Sequence, residues 1–162
     1  MATYNGEKYI KEQLESIISQ LDENDEVIVS DDHSTDRTLD IVKDLKDSRI
    51  KIFLNKNKKG LTYNFENAIK QAKGNYIFLS DQDDVWLPNK IALSLKGLED
   101  NDVVVTNCMI TNNNLNIINN SYFKFNNSKK GFLKNGINSF FFRRSIRNTT
   151  WHWDFHRGNL GI

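Results

Sequence analysis

Apolar residues along the chain keep changing their period. Ile10, Leu14, Ile17, Ile18 and Leu21 recur at i, i+4, i+7, i+8 and i+11, which predicts a first helix with one buried stripe. Residues 26–30, centred on Val27-Ile28-Val29, read as a short buried strand. Thr38, Ile41, Val42 and Leu45 predict a second amphipathic helix, with Ser34 or Thr35 as its cap. Residues 50–54 alternate as a strand should. Leu61, Phe65, Ala68, Ile69 and Ala72 form a third helical stripe, and Gly74 is placed to stop it in a left-handed backbone. A strand over 76–79 follows at once. Pro88 suits the first position of a fourth helix with Ile91, Leu95 and Leu98 on its inner face, and residues 102–110 read as another strand. Beyond Thr111 the pattern gives way to asparagine-rich sequence, a turn or loop between short strands. From Gly136 onward no periodicity holds. Strands alternating with crossover helices predict an α/β fold, a mostly parallel sheet with helices on both faces and right-handed connections.

Composition narrows this picture. A chain of 162 residues, 38% hydrophobic and 27% charged, can bury one core. Its net charge of +1, with no sustained basic tract interleaved with aromatics, gives nucleic-acid binding no support. Cys108, the single cysteine, excludes an internal disulfide or a multi-cysteine zinc site and fits a reduced, cytoplasmic setting. No apolar stretch approaches the ~18 residues of a membrane span. The expectation is a soluble chain, at most peripheral to the inner face of a membrane.

Chemistry concentrates at two acidic clusters. Ser80-Asp81-Gln82-Asp83-Asp84-Val85-Trp86 follows the strand at 76–79, which places three carboxylates at a strand's carboxyl end, where open α/β sheets build ligand sites. Such crowding is costly without a cation, and all-oxygen ligation suits Mg²⁺ or Mn²⁺. A solvated acidic loop is the plainer alternative. Asp31-Asp32-His33-Ser34 follows the strand at 26–30 and so lies on the same sheet edge, either as a ligand site or as a helix-capping run. An EF-hand beginning at Asp81 would need glycine and glutamate where the chain has Trp86 and Ala92. No G-x-G-x-x-G or P-loop is present. Trp86 and Val85 read as packing that anchors the acidic loop, His33 as a loop residue without chemistry, and Lys56, Lys58 and Lys59 as a solvated face or an attraction for diphosphate.

Taken in order, Ala2-Thr3-Tyr4-Asn5-Gly6, Val27-Ile28-Val29-Ser30-Asp31-Asp32-His33-Ser34-Thr35-Asp36, Gly60-Leu61 with Asn67-Ala68, Gly74-Asn75-Tyr76-Ile77 and the acidic run to Pro88 resemble the family 2 glycosyltransferases. The DQDDVW form is most similar to the bacterial branch that includes rhamnosyltransferases. The resemblance implies a Rossmann-like GT-A fold that binds nucleotide-diphospho-sugars. It implies that Tyr4 lies against the nucleotide base, that Asp32 accepts a hydrogen bond from the base imide, that Asp81 faces ribose and sugar, and that Asp83 binds a divalent cation, Mg²⁺ or Mn²⁺, bridging the donor diphosphate. It further implies inverting transfer from a UDP- or dTDP-sugar to a glycan or lipid-linked glycan in cell-surface polysaccharide synthesis, with a general base to take the acceptor proton.

Departures from the family pattern accompany these matches. Family members carry an apolar strand before the Ala2-Thr3-Tyr4-Asn5 run, whereas this sequence opens on that run, and Phe65 stands where many relatives have a nucleotide-proximal arginine. The expected organisation is therefore a nucleotide-sugar-binding domain over residues 1–134 with an incomplete first strand, and an atypical tail over 135–162 that is a truncated or frame-shifted remnant of the acceptor half. In that tail, Asp154 beside His152 and Trp153 has the ingredients of the base element in the wrong order. Its arginines and aromatics also suit a peripheral membrane segment. An inactive fragment that at most binds nucleotide and metal stands as the alternative function.

Overall fold

The computed structural model describes residues 1–120 and the backbone of Phe140–Arg143. Strand β1 (Ala2–Thr3), helix α1 (Ile10–Ile18), β2 (Val27–Asp31), α2 (Thr38–Asp44), β3 (Ile50–Leu54), α3 (Leu61–Gln71), β4 (Tyr76–Phe78), α4 (Lys90–Gly97) and β5 (Val103–Val105) follow the predicted alternation. A hairpin of β6 (Ile110–Thr111) and β7 (Ile117–Asn119) comes next, and β8 (Phe140–Arg143) follows later in the chain. Strands β1, β2 and β3 pair in parallel, and β8 lies antiparallel between β4 and β5. The predicted α/β character and parallel sheet are present.

Alternation along the strands sorts two apolar faces. Val27 and Val29 of β2 pack with Ile10, Leu14 and Ile17 of α1, Val42 of α2, Trp86 and Leu98. On the other face, Ile77 and Leu79 meet Phe65, Ile69 and Ala72. Ser30, also buried, interrupts the apolar pattern of β2, and its hydroxyl is satisfied from α3: it donates to Asn64 Oδ1 at 2.6 Å and accepts from Asn67 Nδ2 at 2.8 Å. Asn64 Nδ2 continues to the Thr3 carbonyl at 3.0 Å. A buried polar network is tolerable when its members are paired, and this one ties α3 to β1 and β2.

The structure corrects several local expectations. Ser34 does not cap α2; its hydroxyl donates to Asp31 Oδ1 at 2.6 Å and accepts from the Asn5 amide at 2.9 Å, while Asp36 takes the Thr38 amide at 3.0 Å. Thr35 likewise turns to Asn5, its amide donating to Asn5 Oδ1 at 2.8 Å. Gly74 is not left-handed, because the chain leaves α3 through an extended Ala72 and needs no such residue. Leu61, expected on the inner stripe of α3, is exposed at its first turn. Pro88 precedes rather than opens α4, since Asn89 adopts a left-handed φ of 66° that breaks the run before Lys90. The strand expected over 102–110 divides into β5 and β6. Phe140–Arg143, where no period was legible, is a strand whose partners are distant in sequence. Most of the tail, Asp154 included, lies outside the described residues.

A cavity of about 730 Å³ lies among β2, β4 and the helices, with Val27, Ile28, Ile77, Phe78, Ile17 and Ala68 in its wall. The space is partly open to solvent, with Glu23, Glu26, Arg49 and Lys73 also along its wall. Strand β1 is paired only over Ala2 and Thr3, with the Met1 nitrogen donating to the Ile28 carbonyl at 2.8 Å at the rim of the space.

Candidate nucleotide-sugar site

Four loops, after β1, β2, β3 and β4, meet beyond the carboxyl ends of their strands, and side-chain hydrogen bonds stitch them together. Beyond β1, Asn5 adopts a left-handed φ of 48° and holds the loop after β2, its amide donating to Ser34 Oγ and its Oδ1 accepting from the Thr35 amide. Gly6 N donates to Thr38 Oγ1 at 2.7 Å, Glu7 N to Asp36 Oδ2 at 3.0 Å, and the Glu7 carboxylate takes the Arg37 amide at 2.9 Å. Asp31, fully buried, takes Thr3 Oγ1 at 3.0 Å and the Ser34 amide at 2.8 Å. The first acidic residue of the pair is thus a structural pin.

Asp32 is held from the third side. Asn55 Nδ2 donates to its Oδ1 at 2.9 Å and the Gly60 amide to its Oδ2 at 2.8 Å. Gly60 has a φ of 129°, a backbone only glycine adopts without strain, so the turn into α3 requires it. Each carboxylate oxygen keeps a further lone pair, so Asp32 is oriented without being exhausted as an acceptor. His33 has a left-handed φ of 64°, and its Nε2 lies 2.9 Å from the Asn55 carbonyl, a brace for the loop. Non-glycine residues with positive φ cluster at functional loops where surrounding bonds enforce them.

Tyr4 stands at the mouth of this cluster and is 53% exposed. The Tyr4 amide donates to Gln82 Oε1 at 2.9 Å, and Gln82 Nε2 donates back to the Tyr4 carbonyl at 3.0 Å. The acidic loop is fixed from beneath by α1. Gln13 Nε2 donates to Ser80 Oγ at 2.6 Å, the Trp86 amide to Ser16 Oγ at 3.0 Å, and the Ile91 amide to Gln20 Oε1 at 3.3 Å. Trp86 is buried, packing on Phe78 at 5.9 Å between ring centroids, as expected of an anchor; Val85 is more exposed and carries less of that packing. Gln82, Gln13 and Ser16 of α1, and Gln20 just beyond its end were not singled out from the sequence. Their signal was legible in part: polar residues at i, i+3 and i+7 lie on a helix flank beside the apolar stripe.

The electrostatics of the acidic loop are unfavourable as it stands. Burial pushes the Asp81 carboxyl up to about 6, with the charges of Asp84 and Asp83 adding to the shift. Asp84 is raised by burial and by Asp83, against the opposing pull of Lys90. Among the described residues no three His, Cys, Asp or Glu side chains converge as a protein-only metal cage. The carboxylates of Asp81, Asp83 and Asp84 are oxygen donors of the kind a hard divalent cation takes. Lys56, Lys58 and Lys59 are all exposed, with Lys58 Nζ 5.7 Å from the Tyr63 ring centroid.

Comparison with known proteins agrees with this geometry. The model of the family described as "Glycosyl transferase family 2" matches residues 1–153. A UDP-glucose:GlcNAc-diphosphoundecaprenol β-1,3-glucosyltransferase of Escherichia coli is 35% identical over 116 residues, covering 70% of this chain and 46% of its own length. A dTDP-rhamnosyl transferase of Shigella flexneri is 42% identical over 119 residues, covering 69% and 40% respectively. This chain therefore spans less than half the length of these curated relatives. Among solved structures, S. aureus TarS in complex with UDP aligns with a TM-score of 0.56 at 32% identity, over 64% of this chain and 32% of that one. A mannosyltransferase from Pyrobaculum calidifontis, in complex with GDP-Man and Mn²⁺, shares the fold with a TM-score of 0.60 at 24% identity, over 68% and 34%. By sequence and by fold, the chain belongs to glycosyl transferase family 2.

Proposed function

We propose that this cluster of loops is the donor half of an inverting glycosyltransferase site, taking a UDP- or dTDP-sugar and serving transfer to a lipid-linked or cell-surface glycan. The observation that carries this reading is the hydrogen-bonded union of the loops that carry Tyr4, Asp32 and the acidic run. In this reading the exposed Tyr4 ring stacks on the base, and Asp32, held by Asn55 and Gly60, accepts the imide N–H. Asp81 faces ribose and sugar, and Asp83, exposed at the tip of the loop, is the cation ligand. A divalent cation bound there would neutralise charge on the departing nucleoside diphosphate. UDP bound to TarS and the nucleotide-sugar names of the bacterial relatives support the donor class.

The lipid-linked acceptor rests on the printed activity of the Escherichia coli relative. Among the described residues no helix is long and apolar enough to cross a membrane, which suits work at the inner membrane face on an acceptor held there. A second reading is binding of nucleotide and metal without turnover. Incubation of the chain with UDP-glucose or dTDP-rhamnose, Mn²⁺ and a diphosphoundecaprenol-linked sugar, read by mass spectrometry of the lipid, separates the two. Gain of one hexose or deoxyhexose is the outcome of the first reading; unchanged lipid beside metal-dependent nucleotide binding is that of the second.

A further inference from the structure

Gln82 lies between Asp81 and Asp83, yet its side chain turns away from the acidic cluster to the loop after β1. Its carboxamide serves both polar groups of the Tyr4 main chain, with Oε1 accepting from the amide at 2.9 Å and Nε2 donating to the carbonyl at 3.0 Å. Tyr4 lies just past the last ladder pair of β1, Thr3 with Asp31, so the ladder does not set its position. Gly6 adds a second and independent observation. A Cβ at residue 6 would come within 2.3 Å of Gln82 Oε1 and 2.5 Å of its Cδ, and Gly6 has no left-handed φ to explain its being glycine. The space it leaves is the space the Gln82 carboxamide occupies.

We propose that Gln82 is a positioning residue that couples the cation end of the site to the base end, by clamping the Tyr4 main chain to the loop that carries Asp81 and Asp83. This rests on the nucleotide-sugar reading of the site. Gln82 need not touch the nucleotide; it acts through Tyr4. A glutamate at this position would keep the bond from the Tyr4 amide but set a carboxylate oxygen against the Tyr4 carbonyl. A methionine would keep the length and lose both bonds. Two bonds of ordinary strength, partly open to solvent, correspond to a loss of roughly fivefold to tenfold in affinity for whatever rests on Tyr4.

The test uses the full chain with two ligands that divide the site: uridine, which reaches the base end alone, and UDP with Mn²⁺, which engages both ends. Gln82→Met is expected to weaken both by the same roughly fivefold to tenfold. Gly6→Ala, which evicts the carboxamide, should reproduce the loss, whereas Asp83→Ala should weaken UDP with Mn²⁺ and leave uridine unchanged. A purely structural role for Gln82 would lower thermal stability without this shared loss across the two ligands. If Gln82→Met fails to fold, Gln82→Glu carries the same comparison. Unchanged uridine affinity in the Gln82 variants overturns the proposal while leaving the donor-site reading intact. Failure of the unsubstituted chain to bind UDP with Mn²⁺ overturns the donor-site reading and the clamp with it.

Discussion

Asp31 and Asp32 are adjacent and chemically identical, and the fold gives them opposite tasks. Asp31 is spent on Thr3 and Ser34 inside the molecule, while Asp32 is oriented by Asn55 and Gly60 with acceptor capacity to spare. Asp32→Ala would leave the Gly60 amide and the Asn55 carboxamide short of a partner, a cost of about 1–3 kcal/mol. The expected result is a lower melting temperature together with loss of nucleotide binding; a variant that melts and binds as the unsubstituted chain does would contradict the assigned role. The family resemblance singled out Asp32 from the pair; the residues alone could not, because both follow the same strand and only partners from β1 and from the loop between β3 and α3 distinguish them. Tyr4 was likewise singled out by the resemblance and not by its period. Gln82 carried no such mark, since its meaning depends on a loop 78 residues away.

At the scale of elements, what was readable is what local periodicity controls. The strand over 50–54 coincides with β3, and the buried stripe of α1 falls where spacing placed it. Misjudged ends trace to bonds from elsewhere: Ser34 was taken from capping by Asp31 and Asn5, and β8 is a strand because β4 and β5 flank it. The start of β3 depends on one local pair. Asp47 accepts from the Arg49 amide at 2.9 Å and from Arg49 Nη2 at 2.7 Å, while Arg49 Nη1 donates to the Leu21 carbonyl at 2.7 Å, tying the segment after α1 to the sheet. Hydrogen bonds from the Arg49 side chain and amide hold the Asp47 carboxyl down at about 2, below its ordinary 3.8. A depressed carboxyl stabilises the fold above the unfolded value and loses that contribution as pH falls through the folded one. Asp47→Asn should therefore lower the melting temperature at pH 7, with the difference from the unsubstituted chain narrowing between about pH 4 and 2. Thermal melts across that range check it, and a difference that does not change with pH would contradict it.

At the scale of the whole molecule, hydrogen bonds cross-link the loops of the site, while a cleft of about 730 Å³ opens between β2 and β4, lined by apolar residues such as Val27 and Ile77 and by charged ones such as Glu26, Arg49 and Lys73.

The function proposed for this chain requires the acidic loop to be the cation end of a nucleotide site. Calorimetric titration of UDP and of dTDP into the chain, with Mn²⁺ and with a chelator, tests that directly. The predicted result is saturable binding of one of the two, at least tenfold tighter with Mn²⁺, with Asp83→Ala losing that increment and keeping the weak metal-independent affinity. Binding of neither nucleotide, or a metal effect that survives Asp83→Ala unchanged, would contradict it.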